Sequence, residues 1–410
     1  GEYESSNKVM AKFTELTSND VRAEAYKNDK DYYAEIKRNS GRYDVGPFQY
    51  NSPYSEFAPS FYKEGLIFSS DRDTGNLAKY RHTWNSKDFL DLYKVNADSS
   101  SSNIVVKLGD KVNTRLHEST SVSTKDGGTM YFTRNNFKDG KYIKDENGVI
   151  RLKIFKATLV EGTWQNIEEL PFNSDAYSVA HPVLGPDEKT MYFASDMPGS
   201  LGESDIFKVE INEDGSFGKP TNLGSTINTE ARETFPFVSS EEILYFSSDG
   251  HPGLGGLDVF GTKIADEKLD GAILNVGEPI NSKMDDFTYI MDEESRKGYF
   301  ASNRSEGKGD DDIYSFERLD LEKIPASNNA IAGVVTELIT GDIMPQQLVE
   351  LLDENGIKLK EMVSDDDGSF IFEDLEADTK YTLKVNREEY FENVQEVTTV
   401  ENDTVDVVLA

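Results

Sequence analysis

The chain repeats one short pattern five times, and that repetition limits what it can fold into. Leu66-Ile67-Phe68-Ser69, Met130-Tyr131-Phe132-Thr133, Met191-Tyr192-Phe193-Ala194, Leu244-Tyr245-Phe246-Ser247 and Gly298-Tyr299-Phe300-Ala301 follow one another at intervals of 64, 61, 53 and 54 residues. Self-similarity at a period near fifty residues means a solenoid or radially arranged blades. The fullest copy runs from Arg232 to Lys263 and reads as three short strands: Phe235–Val238 with alternating apolar residues, Ile243–Phe246, and Leu257–Phe260 after a glycine-rich turn.

Other markers keep step with the repeat. An Asn followed by Ser or Thr opens each unit (Asn51, Asn113, Asn173, Asn228, Asn281). Third strands begin acid, aliphatic, aromatic at Asp91, Asp205, Asp258 and Asp312, whereas the second unit departs with Lys153-Ile154-Phe155. A fourth strand fits before each Asn, and four strands per unit is the make-up of a β-propeller blade. The last unit supplies only three strands, while Tyr43–Tyr50 is an extended run with no unit of its own. Tyr43–Tyr50 is therefore expected to be the outer strand of the 283–317 unit, which hides two sheet edges from other chains. The fold class expected is mainly β: a five-bladed β-propeller, with six blades as the alternative if a degenerate blade lies in 96–165, a short N-terminal helical segment, and a small C-terminal β-sandwich.

Residues 1–40 differ from the rest. Tyr3, Val9, Met10, Phe13 and Leu16 fall near helical spacing, and Asp31–Lys37 is a candidate short helix. The propeller is expected over 41–318, with polar insertions at 73–88 and 135–150, and 319–328 reads as a linker. Strand runs at Ala330–Thr336, Leu348–Asp353, Ser369–Phe372, Lys380–Val385 and Thr404–Leu409, with turn signals about every ten residues, make 329–410 a separate sandwich.

Acidic residues number 76 against 43 basic, a formal net charge of −33, which repels nucleic acid and anionic lipid as partners. With no cysteine there is no disulfide, thiol nucleophile or cysteine metal site. No apolar run approaches the roughly 18 residues of a membrane-spanning helix.

The repeated Glu-x-x-Pro, Tyr-Phe-Ser-Ser-Asp and Asp-Ile-Phe pattern resembles the TolB-type, WD-like propeller repeat of bacterial envelope proteins. Ile331-x-Gly333-x-Val335, Thr340-Gly341, Asp365…Gly368-x-Phe370 and Tyr381-x-Leu383 look like the carboxypeptidase regulatory-like domain, although Glu389 stands where a glycine is usual. Met10-Ala-Lys-Phe…Asn19-Asp20…Tyr32-Tyr33 is similar to the last tetratricopeptide unit before such propellers. This order resembles the PorE-like, OmpA-family proteins of the Bacteroidota type IX secretion and gliding machinery. The resemblance implies a periplasmic location, with an outer-membrane lipid anchor as an option. It also implies an outer-membrane partner of the PorP/SprF type, and contact with peptidoglycan only through an OmpA-like domain that would follow Ala410.

Candidate chemistry is sparse. His82, His117, His181 and His251 are scattered through different units and read as loop or packing residues. Serines after the aromatic pairs recur once per unit, as a structural position does, and Asp71, Asn135, Asp196, Asp249 and Asn303 are placed to accept from turn amides. The runs Asp310–Asp312 and Asp365–Asp367 could hold calcium, but solvated loops are the plainer reading. Gly199–Gly202 and Gly253–Gly256 lack a P-loop lysine and mark tight turns needing positive φ. Glu56, Glu118, Glu233 and Asp286 are the carboxylates nearest a central channel, but they recur at equivalent places. Arg72, Arg134 and Arg304 follow second strands and could gather cations on one face, able to receive an acidic or peptide ligand, but ordinary turn salt bridges are the plainer reading. No catalytic residue, metal or cofactor is expected. The function expected is a non-enzymatic periplasmic scaffold of the secretion or gliding apparatus; the alternative is a TolB-like propeller binding or processing a peptide or glycan in its central channel.

Overall fold

The structure, a computed structural model, describes residues 9, 12–14, 23, 32–72, 87–95, 105–138, 140–265, 268–269, 273–319, 330–337, 340–353, 356–372, 375, 379–385, 393–399 and 404–409. Most of the 1–40 segment, insertion residues 73–86 with His82, linker residues 320–328, and Glu389 lie outside them. The chain divides into two compact units, Gly1–Leu319 and Asp320–Ala410.

In the first unit the described residues include helical positions at 9, 12–14 and 23, then α1 (Tyr32–Asn39) and β1 (Tyr43–Pro47). Five antiparallel sheets follow, each running from an inner to an outer strand. The first holds β2 (Glu56–Tyr62), β3 (Gly65–Ser70), β4 (Asp91–Val95) and β5 (Val105–Lys107). In the second, β6 (Glu118–Ser123) and β7 (Thr129–Asn135) are separated along the chain from β10 (Leu152–Val160) and β11 (Thr163–Glu169) by a hairpin of β8 (Phe137–Lys138) and β9 (Lys141–Tyr142). The third is β12 (Val179–Leu184), β13 (Thr190–Ser195), β14 (Asp205–Glu210) and β15 (Thr221–Asn222). The fourth is β16 (Glu233–Val238), β17 (Ile243–Ser248) and β18 (Asp258–Ala265), with β19 (Lys268–Leu269) and β20 (Leu274–Asn275) both pairing β18. The fifth is β21 (Asp286–Asp292), β22 (Lys297–Ser302) and β23 (Asp312–Arg318), completed by β1.

Ring closure follows the expectation: Tyr43 lies opposite Arg318 and Pro47 opposite Tyr314 in an antiparallel ladder. The segment 105–169 is taken up by β5, the second sheet and the small hairpin, so the described residues leave no sixth sheet there.

Second strands such as β3, β13 and β17 are buried almost throughout, because both their faces meet neighbouring sheets. Alternate side chains along them therefore feed two different cores. Phe68 packs with Ile290 and Ile313 of the fifth sheet, while Ile67 packs with Met130 and Phe132 of the second. The same division sends Phe193 back to Ile154 and Tyr192 forward to Leu244, and it places Phe300 with Tyr245. Five such cores, one per junction, close the circle. Phe68, Phe132, Phe193, Phe246 and Phe300 are all under 2% exposed, each burial contributing roughly 1.5–3 kcal/mol.

The opening asparagines join consecutive sheets. The backbone N–H groups of Ile313, Leu92, Ile154, Ile206 and Val259 donate to Oδ1 of Asn51, Asn113, Asn173, Asn228 and Asn281 respectively, and each Nδ2 donates back to the same residue's carbonyl, all at 2.7–3.2 Å. Each partner is the aliphatic residue of the preceding sheet's third strand. Each of these carbonyls also accepts a backbone N–H from the outer segment of its own sheet, so without the asparagine it is the strand N–H that would be left unpaired.

The second unit has two sheets. One contains β24 (Ala330–Val335) between β27 (Ser369–Phe372) and the parallel β30 (Thr404–Leu409); the other runs β26 (Lys358–Val363), β25 (Leu348–Leu352), β28 (Lys380–Val385), β29 (Asn393–Thr398). Ile331, Phe370 and Leu409 from one meet Val349, Leu351 and Leu383 from the other in a shared core.

Asn228→Ala leaves the buried Ile206 N–H without its partner, while the Ile206 carbonyl keeps the Leu223 N–H at 3.1 Å. Leaving that donor unsatisfied is expected to cost about 1–3 kcal/mol and to lower Tm by roughly 2–6 °C. An unchanged melting curve would remove the clamp from the account of stability.

Candidate functional site

The inner-strand carboxylates face away from the bore. Thr229 donates its N–H to Glu233 Oε2 (2.7 Å) and its hydroxyl to Oε1 (2.8 Å), and Ser248 also donates to Oε1 (2.6 Å). Ser52 and Thr114 grip Glu56 and Glu118 in the same way, and both Ser282 groups donate to one oxygen of Asp286. All four carboxylates are fully buried. They fix the turn that carries the clamping asparagine.

The three arginines are not a ligand-binding face, and that expectation is corrected. Arg72 pairs with Glu56 at 3.0 Å, Arg134 with Glu118 at 3.2 Å and Arg304 with Asp286 at 2.6 Å, their side chains being 16%, 6% and 14% exposed. Each guanidinium also donates to the carbonyl just before its asparagine (Tyr50, Val112, Ile280) and lies about 5 Å over two aromatic rings of its own sheet. Arg134 sits two residues earlier in its unit than Arg72 and Arg304 do, yet fills the same place. Each guanidinium is thus turned into its own sheet and paired with a buried acid rather than presented as a fork to a partner.

The other two sheets fill this place without an arginine. In the fourth, His251 Nε2 meets the Ile227 carbonyl at 2.8 Å, and the ring packs on Phe246 and Phe260. In the third, the Tyr177 hydroxyl donates to the Phe172 carbonyl at 3.2 Å, and Ser178 replaces the acid. Burial pushes His251 below its usual range, so this substitute for arginine is neutral. Glu233 consequently has no adjacent cation, and burial pushes it up to about 7. Burial also raises Glu118 and Asp286, opposed there by Arg134 and Arg304.

Along the axis, every inner strand breaks register at one equivalent bulge. Ala58, Thr120, His181, Phe235 and Thr288 sit there with φ of 53°, 24°, 59°, 48° and 55°. Bulges turn a strand and re-aim its side chains. Pro59, Pro182 and Pro236 follow three of them, tolerated because an innermost strand has an unpaired edge. The result is an axial cavity of about 290 Å³ that all five strands line. None of the four carboxylates reaches it. Phe57, Phe287, Phe235 and His181, from four sheets, meet in succession at tilted angles with centroids 4.0–5.9 Å apart, filling the bore beside it.

The remaining candidates are structural. Asp71, Asn135, Asp196, Asp249 and Asn303 each accept the backbone N–H before or at the start of their inner strand, at 2.6–3.1 Å. His117 Nδ1 lies 3.1 Å from the Leu90 N–H. Asp312 receives the amides of Lys308 and Gly309, while Asp310 pairs with Lys87. Asp367 caps its own turn through Ser369. Among the described residues no group of three His, Asp or Glu could hold a metal ion. The glycine loops also need a second reason: Gly199 has φ 105°, but Gly202 and Gly255 do not lie at positive φ, and a Cβ on either would strike the next sheet's turn backbone. Their amides donate instead to Asp205 and Asp258.

Residues 330–410 match the carboxypeptidase regulatory-like domain. No curated protein matches the chain. Among solved structures it is similar to an alpha-L-arabinofuranosidase from Lactobacillus brevis (12% identity, 64% of this chain and 90% of that one, TM-score 0.41) and a GH43_1 enzyme from Xanthomonas citri (9%, 69% and 92%, 0.41). A puromycin-hydrolyzing peptidase of Mycobacterium tuberculosis is similar at 11% identity, covering 82% of this chain but only 44% of that one, with a TM-score of 0.35. All three neighbours are enzymes by name, against the expectation of a non-enzyme; at 9–12% identity and TM-scores of 0.35–0.41 they assign this chain no activity.

Because its folded value lies above the ordinary 4.5, Glu233 contributes stability that is present below about pH 4.5 and lost as pH rises through about 7. Glu233→Gln can keep its oxygen on the Thr229 amide while the two hydroxyls turn to accept from its NH₂. The variant is expected to flatten the decline in Tm between pH 5 and 8, a difference of about 3 kcal/mol. Parallel Tm-against-pH curves for native protein and variant would refute this.

Proposed function

We propose that the chain is a periplasmic scaffold or adaptor of the type IX secretion or gliding apparatus, its five-bladed β-propeller binding a protein partner and its C-terminal sandwich spacing that propeller from what lies beyond. The observation that carries this reading is the order along the chain: a ring of five antiparallel sheets, four of four strands and one of five, then the carboxypeptidase regulatory-like match at 330–410. That order fits the PorE-like layout. Further support comes from the ring itself, whose arginines and inner carboxylates are spent on holding sheets together, as a rigid mount requires. The partner in this reading is an outer-membrane protein of the PorP/SprF type, with peptidoglycan reached through a separate domain and a lipid anchor as one route to the membrane. The net charge of −33 directs the choice of partner toward cationic surfaces.

Affinity capture from envelope extracts of a producing bacterium tests it. An outer-membrane protein should co-purify, and the complex should weaken as salt rises from 50 to 300 mM if cationic surfaces meet the acidic ring. Recovery of the chain alone, together with turnover of an envelope glycan or peptide, would replace the scaffold reading.

A further inference from the structure

The bore contains polar groups that the architecture leaves unused. Thr288, at the bulge of β21, lines the axial cavity, is 5% exposed, and its Oγ1 has no hydrogen-bond partner among the described residues. His181, at the bulge of β12, lines the same cavity. Its proton can be placed by following one chain of bonds. Thr133 Oγ1 accepts the His181 backbone N–H at 2.9 Å, which leaves the Thr133 hydroxyl proton for Thr120 Oγ1 at 2.7 Å. The Thr120 hydroxyl can then donate to His181 Nδ1 at 3.1 Å. This assignment puts the imidazole proton on Nε2, which has no partner among the described residues. Burial pushes His181 down to about 3, so the ring is neutral.

Thr288 Oγ1, Ser123 Oγ and His181 Nε2 thus stand without partners among the described residues at a cavity walled by the Phe235 ring and by Pro59, Pro182 and Pro236. A buried hydroxyl costs stability until something binds it, so Thr288 Oγ1 at this wall suits a ligand that brings an acceptor. The charged groups at the lining are already engaged: the Lys125 ammonium donates to the Pro186 carbonyl and Glu188 accepts the Lys125 amide. A charged ligand set against the Phe235 ring and the prolines would lose its hydration without a countercharge on that wall. A sugar would lay its hydroxyls against the same apolar wall.

We propose that the axial cavity binds an uncharged, apolar amino-acid residue within a peptide, whose carbonyl oxygens accept from Thr288 Oγ1 and His181 Nε2 while its side chain packs on Phe235 and the prolines. A volume of about 290 Å³ suits one or two residues, at the small end of ligand pockets. The proposal stands apart from the envelope-scaffold reading, and either can fail alone.

The test is an isothermal or NMR titration of the full chain with N-acetyl-L-phenylalaninamide, N-acetyl-L-leucinamide, zwitterionic L-phenylalanine and cellobiose. The two blocked residues should bind saturably, at least tenfold more tightly than the zwitterion or the sugar. Thr288→Val keeps the shape and removes the hydroxyl; it should weaken binding at least tenfold while the unliganded protein melts at the same or a higher temperature. His181→Asn suits the positive φ of 59° and should weaken binding similarly. Absence of saturable binding, equal affinity for native protein and Thr288→Val, or preference for cellobiose would overturn the proposal.

Discussion

A ring of sheets needs each member to recognise the next, and here one asparagine side chain per sheet does so. An amide is suited to the task because it presents one acceptor and a donor in a plane, matching the N–H and C=O of a single residue in an extended strand. The five asparagines use that match on the third strand of the sheet before, from Asn51 on Ile313 around to Asn281 on Val259. Hydrophobic cores between the sheets supply most of the favourable burial, but apolar contact is non-directional and would tolerate slippage. The paired hydrogen bonds fix the register. Everything at the inner ends of the strands serves the turn holding that asparagine: Ser52, Thr114, Thr229 and Ser282 on their carboxylates, and a donor on the preceding carbonyl.

That donor shows how much chemistry one position accepts. Arg72, Arg134, Tyr177, His251 and Arg304 all reach the carbonyl before an asparagine, and the arginines and His251 also lie against aromatic rings. What varies is charge. Where arginine is present, the inner carboxylate has its counterion; in the third sheet Ser178 stands in place of the acid; in the fourth, a neutral imidazole takes the arginine's place near Glu233. Burial raises Glu118 to about 8 even beside Arg134, and Glu233 to about 7, so the geometry is kept while the counterion is not, and buried acids in more than one sheet titrate near neutrality.

The sequence made the repeat plain because its strongest marks, an aromatic in each second strand and an Asn before each first strand, are the positions with the least freedom. Ring closure by Tyr43–Pro47 was legible for the same reason: one unit lacked a fourth strand and one strand lacked a unit. Side-chain partners were harder to read. Arg134 lies two residues from the position of Arg72 and Arg304, so alignment could not reveal that the three are equivalent in space. In the C-terminal unit, β26 escaped notice because Lys358–Val363 lies at a sheet edge, mostly exposed, and its Lys and Glu residues blur the alternation that marks a half-buried strand. The bulges left only a faint trace in Glu-x-x-Pro, where the proline marks an unpaired inner edge but says nothing of a residue at positive φ before it.

Comparison of the chain with itself separates architecture from the rest. Positions that hold the ring repeat nearly unchanged around it, since each sheet must satisfy the same neighbours. The bulge positions do not: Ala58, Thr120, His181, Phe235 and Thr288 share a backbone conformation unfavourable to most of them and share no chemistry. Glycine or asparagine would adopt that backbone at less cost, and neither occurs in any of the five. Fivefold symmetry in the backbone therefore delivers four kinds of side chain to one axis, threonine twice, and the ring pays conformational strain five times over to present them there. A fold maintained only for its own stability has no use for that asymmetry; a site does.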